Sequence, residues 1–134
     1  MIYVLDSSAM IALANNEPGA NVVADLLADS RNECYAHAIN LCEVFYDAIR
    51  RSDDAQALRL ITDLYGLGVI ERRDFEAAFW QQAGRLKAVH RRVSMADCCA
   101  LALTLRLGGE LVTSDHHELD ALAAAGICPI NFFR

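Results

Sequence analysis

Apolar residues in this chain fall into short continuous runs that alternate with longer stretches at helical spacing. The run "IYVL" (2–5) stops at Asp6, and "SSAMIALANN" after it reads as a small helix. Pro18 opens a second helix over "GANVVADLLADS", which ends near Ser30. "CYAHAI" (34–39) predicts a second strand, followed by helices over roughly 40–51 and 53–65. "GLGVIER" predicts a third strand, and a long amphipathic helix starts near Asp74, with Phe75, Phe79, Leu86 and Val89 at helical spacing. Ser94 starts a further helix, which "LGG" ends. "ELVT" (110–113) is a fourth strand, "SDHHELDALAAAG" a helix and "ICPINFF" a last short strand.

Strands this short and apolar, alternating with helices, imply βαβ units and an α/β fold whose central, mainly parallel sheet is covered on both faces. Four to five strands are expected. Such sheets place ligand sites beyond the carboxyl ends of their strands. No linker, repeat or low-complexity tract interrupts the pattern, so one domain over 1–134 is expected.

Composition narrows the class. At 54% hydrophobic and 22% charged residues the chain reads as globular rather than disordered. The longest uncharged apolar run, "CCALALTL" (98–105), is too short to span a bilayer. The first residues lack a basic stretch and meet Asp6 early, which reads as a strand rather than a signal peptide and points to the cytoplasm. Cys34, Cys42, Cys98, Cys99 and Cys128 are scattered, without the paired spacing of a zinc site, and read as reduced core thiols. A net charge of −6 argues against general nucleic-acid coating. It leaves room for local contacts, because every basic residue but Lys87 is an arginine, several in pairs (Arg50-Arg51, Arg72-Arg73, Arg91-Arg92). Arginine forks suit phosphate, although any single pair is explained as simply by solvated helix ends.

The acids carry the chemistry. Asp6 ends the first strand and Asp115 follows the fourth. Glu43 in "NLCE" and Asp97 in "SMAD" each lie three places after a polar cap candidate, Asn40 and Ser94. All are therefore expected at helix N-termini, where capping is worth about 1 kcal/mol each; "DHHE" (115–118) offers another capping box. For any one acid, capping explains the position as well as function does. The set is harder to explain so. Helices that follow parallel strands begin at one edge, which brings Asp6, Asp115 and Glu43 together, although the helix of Asp97 follows another helix. Converging carboxylates repel. Hard cations such as Mg²⁺ or Mn²⁺ offset that repulsion.

"YVLDSSAMIAL", "INLCEVFYDAI", "RVSMADCCALALTLRLGGELVTSDHHELDAL" and "INFF" together resemble a PIN domain, and the small format resembles the VapC-type toxins of toxin–antitoxin modules. By that resemblance Asp6, Glu43, Asp97 and Asp115 correspond to the family's acidic metal cluster for Mg²⁺ or Mn²⁺, and Ser8 and Thr113 to polar positions beside it. The resemblance implies a three-layer α/β/α sandwich and a metal-dependent endoribonuclease. It further implies RNA products with 5′-phosphate and 3′-hydroxyl ends, a cognate antitoxin that blocks the site, and a homodimer. One departure is visible: Leu119 stands where the family often has an aromatic residue.

Two other readings compete. A receiver-like domain would want a second acid near the first and a lysine after a late strand, whereas Lys87 lies mid-helix; a dehalogenase-type phosphatase would want D-x-D, whereas this chain has Asp6-Ser7-Ser8. A PIN-like binding module without catalysis would not need the complete acid set. His116 and His117 are adjacent and point apart on a helix, so they read as exposed polar residues rather than a zinc pair. His37 and His90 receive no role. Asn40, Glu43, Asp47 and Arg50 form a polar stripe whose later members read as a solvated face, and Phe45, Tyr46 and Trp80 read as core or partner-facing.

Overall fold

The computed structural model describes residues 1–134. Its strands are β1 (Ile2–Leu5), β2 (Glu33–His37), β3 (Val69–Arg72), β4 (Glu110–Thr113) and β5 (Ile130–Phe132). Its helices are α1 (Ser7–Ala14), α2 (Ala20–Ala28), α3 (Ala38–Arg51), α4 (Asp54–Leu67), α5 (Ala77–Val89), α6 (Met95–Leu107) and α7 (His116–Ala124). The strands form one sheet in the order β3-β2-β1-β4-β5, parallel throughout.

Successive strand residues face opposite sides of the sheet. Val4 and Leu111 join the core made with α5, α6 and α7. Leu5 and Val112, their neighbours in sequence, join the core made with α1, α2, α3 and α4. Both faces are covered, which is why the strands read as unbroken apolar runs. This is the expected α/β/α sandwich.

Topology places the site. The chain starts in the middle of the sheet with β1, builds outward through β2 and β3, then returns to lay β4 on the other side of β1. Strand order therefore reverses between β1 and β4, and the crevice outside their carboxyl ends is the preferred ligand position of an open α/β sheet. Asp6 and Asp115 flank that crevice, and the Asp6 N–H donates to Val112 O at 3.2 Å.

Several boundaries differ from the sequence reading. The second strand ends at His37, and Ala38 and Ile39 are already helical. His37 is buried, and its Nδ1 accepts the Ile39 N–H at 3.1 Å, which caps α3. Its Nε2 must then carry the proton and donate to Asp74 O, 2.8 Å away. Asn40 is therefore not a cap, and Glu43 is in the second turn rather than a capping position. At α2 the cap is Gly19 rather than Pro18, with φ +88°; a Cβ there would lie 2.6 Å from the Phe133 ring. The fifth helix is capped by Glu76, which leaves Phe75 exposed before it. The sixth starts at Ser94 and stops at left-handed Gly108, as "LGG" predicts.

The run Asp97–Thr104 of α6 is buried without a break. A helix enclosed all round lies in a core rather than over it, so its first turn carries a carboxylate inward. Leu119, at the position of the missing aromatic, is fully buried in the same core. No helix is long and apolar enough to cross a membrane. All the cysteines are free thiols, buried except for Cys42.

Candidate metal centre

Asp6 is held first. It is 1% exposed. Its Oδ1 caps α1 through the Ala9 N–H at 3.0 Å and accepts the Ser8 hydroxyl at 2.6 Å. Its Oδ2 accepts the Thr113 hydroxyl. Thr113 Oγ1 in turn accepts the Asp115 N–H at 3.0 Å, and Ser8 Oγ accepts the Ser114 N–H at 3.0 Å. Ser8 and Thr113 thus stitch the end of β1 to the turn after β4 and fix one carboxylate relative to the other. Burial pushes the Asp6 carboxyl above the usual carboxylate range, against the pull of these hydrogen bonds.

Asp97 comes from the first turn of α6. The helix is capped by the Ser94 hydroxyl, which accepts the Asp97 N–H at 3.1 Å. In a reciprocal capping box the Asp97 carboxylate would reach back to the Ser94 N–H. Here Glu118 of α7 takes that bond instead, Ser94 N–H to Oε2 at 3.2 Å. The Asp97 carboxylate is freed for the crevice. Burial pushes its pKa far up, and a hydrogen bond shared with Glu118 and the charges of Asp6 and Asp115 push the same way. Glu118 moves down, chiefly because that shared bond favours its charged form.

Asp115 caps α7, accepting the Glu118 N–H at 3.0 Å. That bond brings Glu118 round, so carboxylate oxygens of Asp97, Asp115 and Glu118 lie within 4.8 Å of one another. Glu43 is half-buried at the margin of this group. Its pKa is raised by burial and by the charges of Asp6 and Glu118. Ser7 is close enough to favour the charged form, yet no donor in hydrogen-bonding geometry reaches Glu43 Oε1.

The structure therefore gathers Asp6, Asp97 and Asp115, places Glu43 at their edge, and adds Glu118, which the sequence reading missed. The signal for Glu118 was present in "DHHE", where its spacing from Asp115 reads as a capping box. The tight cation-sized group is Asp97, Asp115 and Glu118; Asp6 lies behind it with both oxygens engaged. Carboxylate oxygens held together at a mutual cost, sharing a proton between Asp97 and Glu118, suit a hard divalent cation that can replace it, and a buried carboxylate oxygen with no donor fits the same purpose.

The remaining side chains lie outside the group of acids. His116 stacks on Phe132 with ring centroids 4.2 Å apart and contacts Asp120 and Arg134 O. Lys87 spends its ammonium on the carbonyls of Arg91 and Val93, 2.8 Å each. Arg51, not Arg50, pairs with Asp47. Arg50 instead lies over the exposed Tyr46 ring at 4.9 Å. Trp80 is also exposed, and Phe45 half-buried.

The PIN domain family model matches residues 3–125. No curated protein matches the chain. Among solved structures, VapBC-1 from nontypeable Haemophilus influenzae superposes with a TM-score of 0.73 at 22% identity, over 99% of this chain and 98% of that one. VapBC2 from Rickettsia felis, bound to a DNA fragment from its promoter, gives 0.73 at 18% identity over 98% of each chain. Mycobacterium tuberculosis VapC20, described as a toxin that cleaves the sarcin–ricin loop, gives 0.72 at 20% identity over 90% of this chain and 95% of that one. With a family match over nearly the whole chain and acids gathered at the crevice between β1 and β4, the chain belongs to the PIN domain family.

Proposed function

We propose that residues 1–134 act as one domain that hydrolyses RNA phosphodiester bonds with Mg²⁺ or Mn²⁺, as the toxin of a toxin–antitoxin pair. The observation that carries this reading is the convergence of Asp97, Asp115 and Glu118 within 4.8 Å, in front of a rigidly held Asp6. Capping accounts for Asp6 and Asp115 but not for Asp97, whose carboxylate caps nothing.

Asp97, Asp115 and Glu118 would hold the cation. When bound, it supplies Lewis acidity and a water acidic enough to act as nucleophile at neutral pH. Asp6 keeps Thr113, and through it Asp115, in place. Glu43, with one oxygen free of donors, orients water at the edge of the crevice. Arg50 lies two turns beyond Glu43 on the same side of α3, where its guanidinium can meet a substrate phosphate. No histidine or nucleophilic side chain is needed. A receiver-like reading is disfavoured, because the only lysine is committed to loop carbonyls.

The partner follows from charge. An acidic crevice is blocked most readily by a basic segment, with an arginine fork laid on the carboxylates. The solved relatives in VapBC and toxin–antitoxin complexes support an antitoxin partner. The free thiols fit a reducing cytoplasm. Purified chain should cut RNA with Mg²⁺ or Mn²⁺ and stop with EDTA. Absence of cleavage by metal-loaded, folded protein would turn the reading to a binding module.

A further inference from the structure

Asn40 is fully buried in the first turn of α3. Its Nδ2 donates to Ala96 O at 3.3 Å, and nothing in the protein donates to its Oδ1. The other buried uncharged polar side chains are accounted for: His37 by Ile39 and Asp74, Thr104 by Ala100 O, Thr113 by Asp6 and Asp115. Leaving a buried amide oxygen unmet costs about 1–3 kcal/mol. Asparagine is also a poor helix former, and leucine would fill the space at no polar cost. Stability alone does not explain the residue.

Its position does. Ala96 directly precedes Asp97, so Asn40 ties α3 to the turn that carries the most deeply placed acid of the tight group. Glu43 follows Asn40 at i+3, on the same face of α3. Asn40 Oδ1 and Glu43 Oε1 are the buried side-chain atoms left without a hydrogen-bond partner. Asn40 Oδ1 and Glu43 Oε1 lie on successive turns of one helix, beside carboxylates whose shared proton is taken up between Asp97 and Glu118, so they call for an external donor. A hydrated cation brings O–H donors to that place.

We propose that Asn40 is a positioning residue for the cation: its Nδ2 fixes the start of α6 against α3, and its Oδ1, with Glu43 Oε1, accepts hydrogen bonds from the cation's hydration shell. This rests on the metal-dependent reading above. It differs from a purely structural tie, which would need only the Ala96 bond.

The test compares wild type with Asn40→Leu, and with Asn40→Ala should the leucine variant not fold. Mn²⁺ affinity is read by calorimetry and metal-free stability by urea unfolding. Loss of an outer partner of this kind weakens metal binding by about 10–100-fold, and either variant should show that loss while the metal-free protein stays folded. Asn40→Asp keeps an oxygen at the position and should retain Mn²⁺ binding despite losing the donor to Ala96. An unchanged Mn²⁺ affinity in the folded leucine or alanine variant overturns the proposal and leaves Asn40 as a helix–helix tie. Wild type that binds no Mn²⁺ overturns the metal reading itself, and this inference with it.

Discussion

Replacing Asp97 by asparagine should make the metal-free protein more stable while abolishing its response to metal. The carboxylate is buried, caps nothing, and faces Asp6, Asp115 and Glu118. Its pKa is higher folded than unfolded, so the stability it contributes is present at low pH. That stability drains away as pH rises from about 4, where an unfolded aspartate ionises. Each pKa unit is worth about 1.4 kcal/mol, but Glu118 shifts the other way and returns part of the cost. A net gain of about 1–2 kcal/mol at pH 8 is the working magnitude for Asp97→Asn, or about 3–8 °C in Tm for a chain of this size. The amide also keeps a donor for Glu118. Urea unfolding in EDTA at several pH values measures the difference, which should widen from pH 5 to pH 8. Mn²⁺ at 100 times its Kd should then add about 2.7 kcal/mol to wild type and far less to the variant. A variant that is less stable than wild type at pH 8 in EDTA, yet gains as much from Mn²⁺, would refute the reasoning.

Thr113→Val keeps the shape but removes the hydroxyl between Asp6 and Asp115. It should cost about 1–3 kcal/mol in urea unfolding, because buried groups lose their partners, and Mn²⁺ affinity should fall with it. Glu118→Gln still accepts the Ser94 N–H but loses a ligand charge, so stability should hold while Mn²⁺ binding weakens by about tenfold or more; calorimetry showing no change would return Glu118 to capping alone. Mn²⁺ affinity should rise from pH 5.5 to pH 8, because the proton that Asp97, with its pKa pushed up to about 9, shares with Glu118 competes with the cation. Calorimetry in buffers of different ionisation heat should then register proton release, and a pH-independent affinity would contradict the shared proton.

The sheet edge was legible because strand runs end on it. "IYVL" before Asp6 and "ELVT" before Asp115 put those acids at carboxyl ends by spacing alone, and the parallel sheet brings them together. Asp97 was legible as part of a set, but what frees its carboxylate was not: Glu118 arrives from another helix to take the Ser94 N–H. Glu118 itself was hidden because its spacing from Asp115 is satisfied by an ordinary cap, its N–H donating to Asp115 Oδ1. The start of α3 was misread because histidine is not an obvious cap, and His37 Nδ1 holds the Ile39 N–H only where Asp74 O fixes the tautomer. Asn40 stands three places before Glu43 in "NLCE" and so read as the cap of a capping box. Only the crossing of α6 at Ala96 buries it.

The chemistry of the cut ends tests the central claim most directly. Antitoxin-free protein is incubated with RNA in Mn²⁺, in EDTA, and as the Asp97→Asn variant, and the product termini are assigned by mass spectrometry. Hydrolysis at the acid site predicts 5′-phosphate and 3′-hydroxyl ends in Mn²⁺ alone, with no products from the other two. Cleavage that continues in EDTA, or products ending in 2′,3′-cyclic phosphate and 5′-hydroxyl groups, would contradict the account.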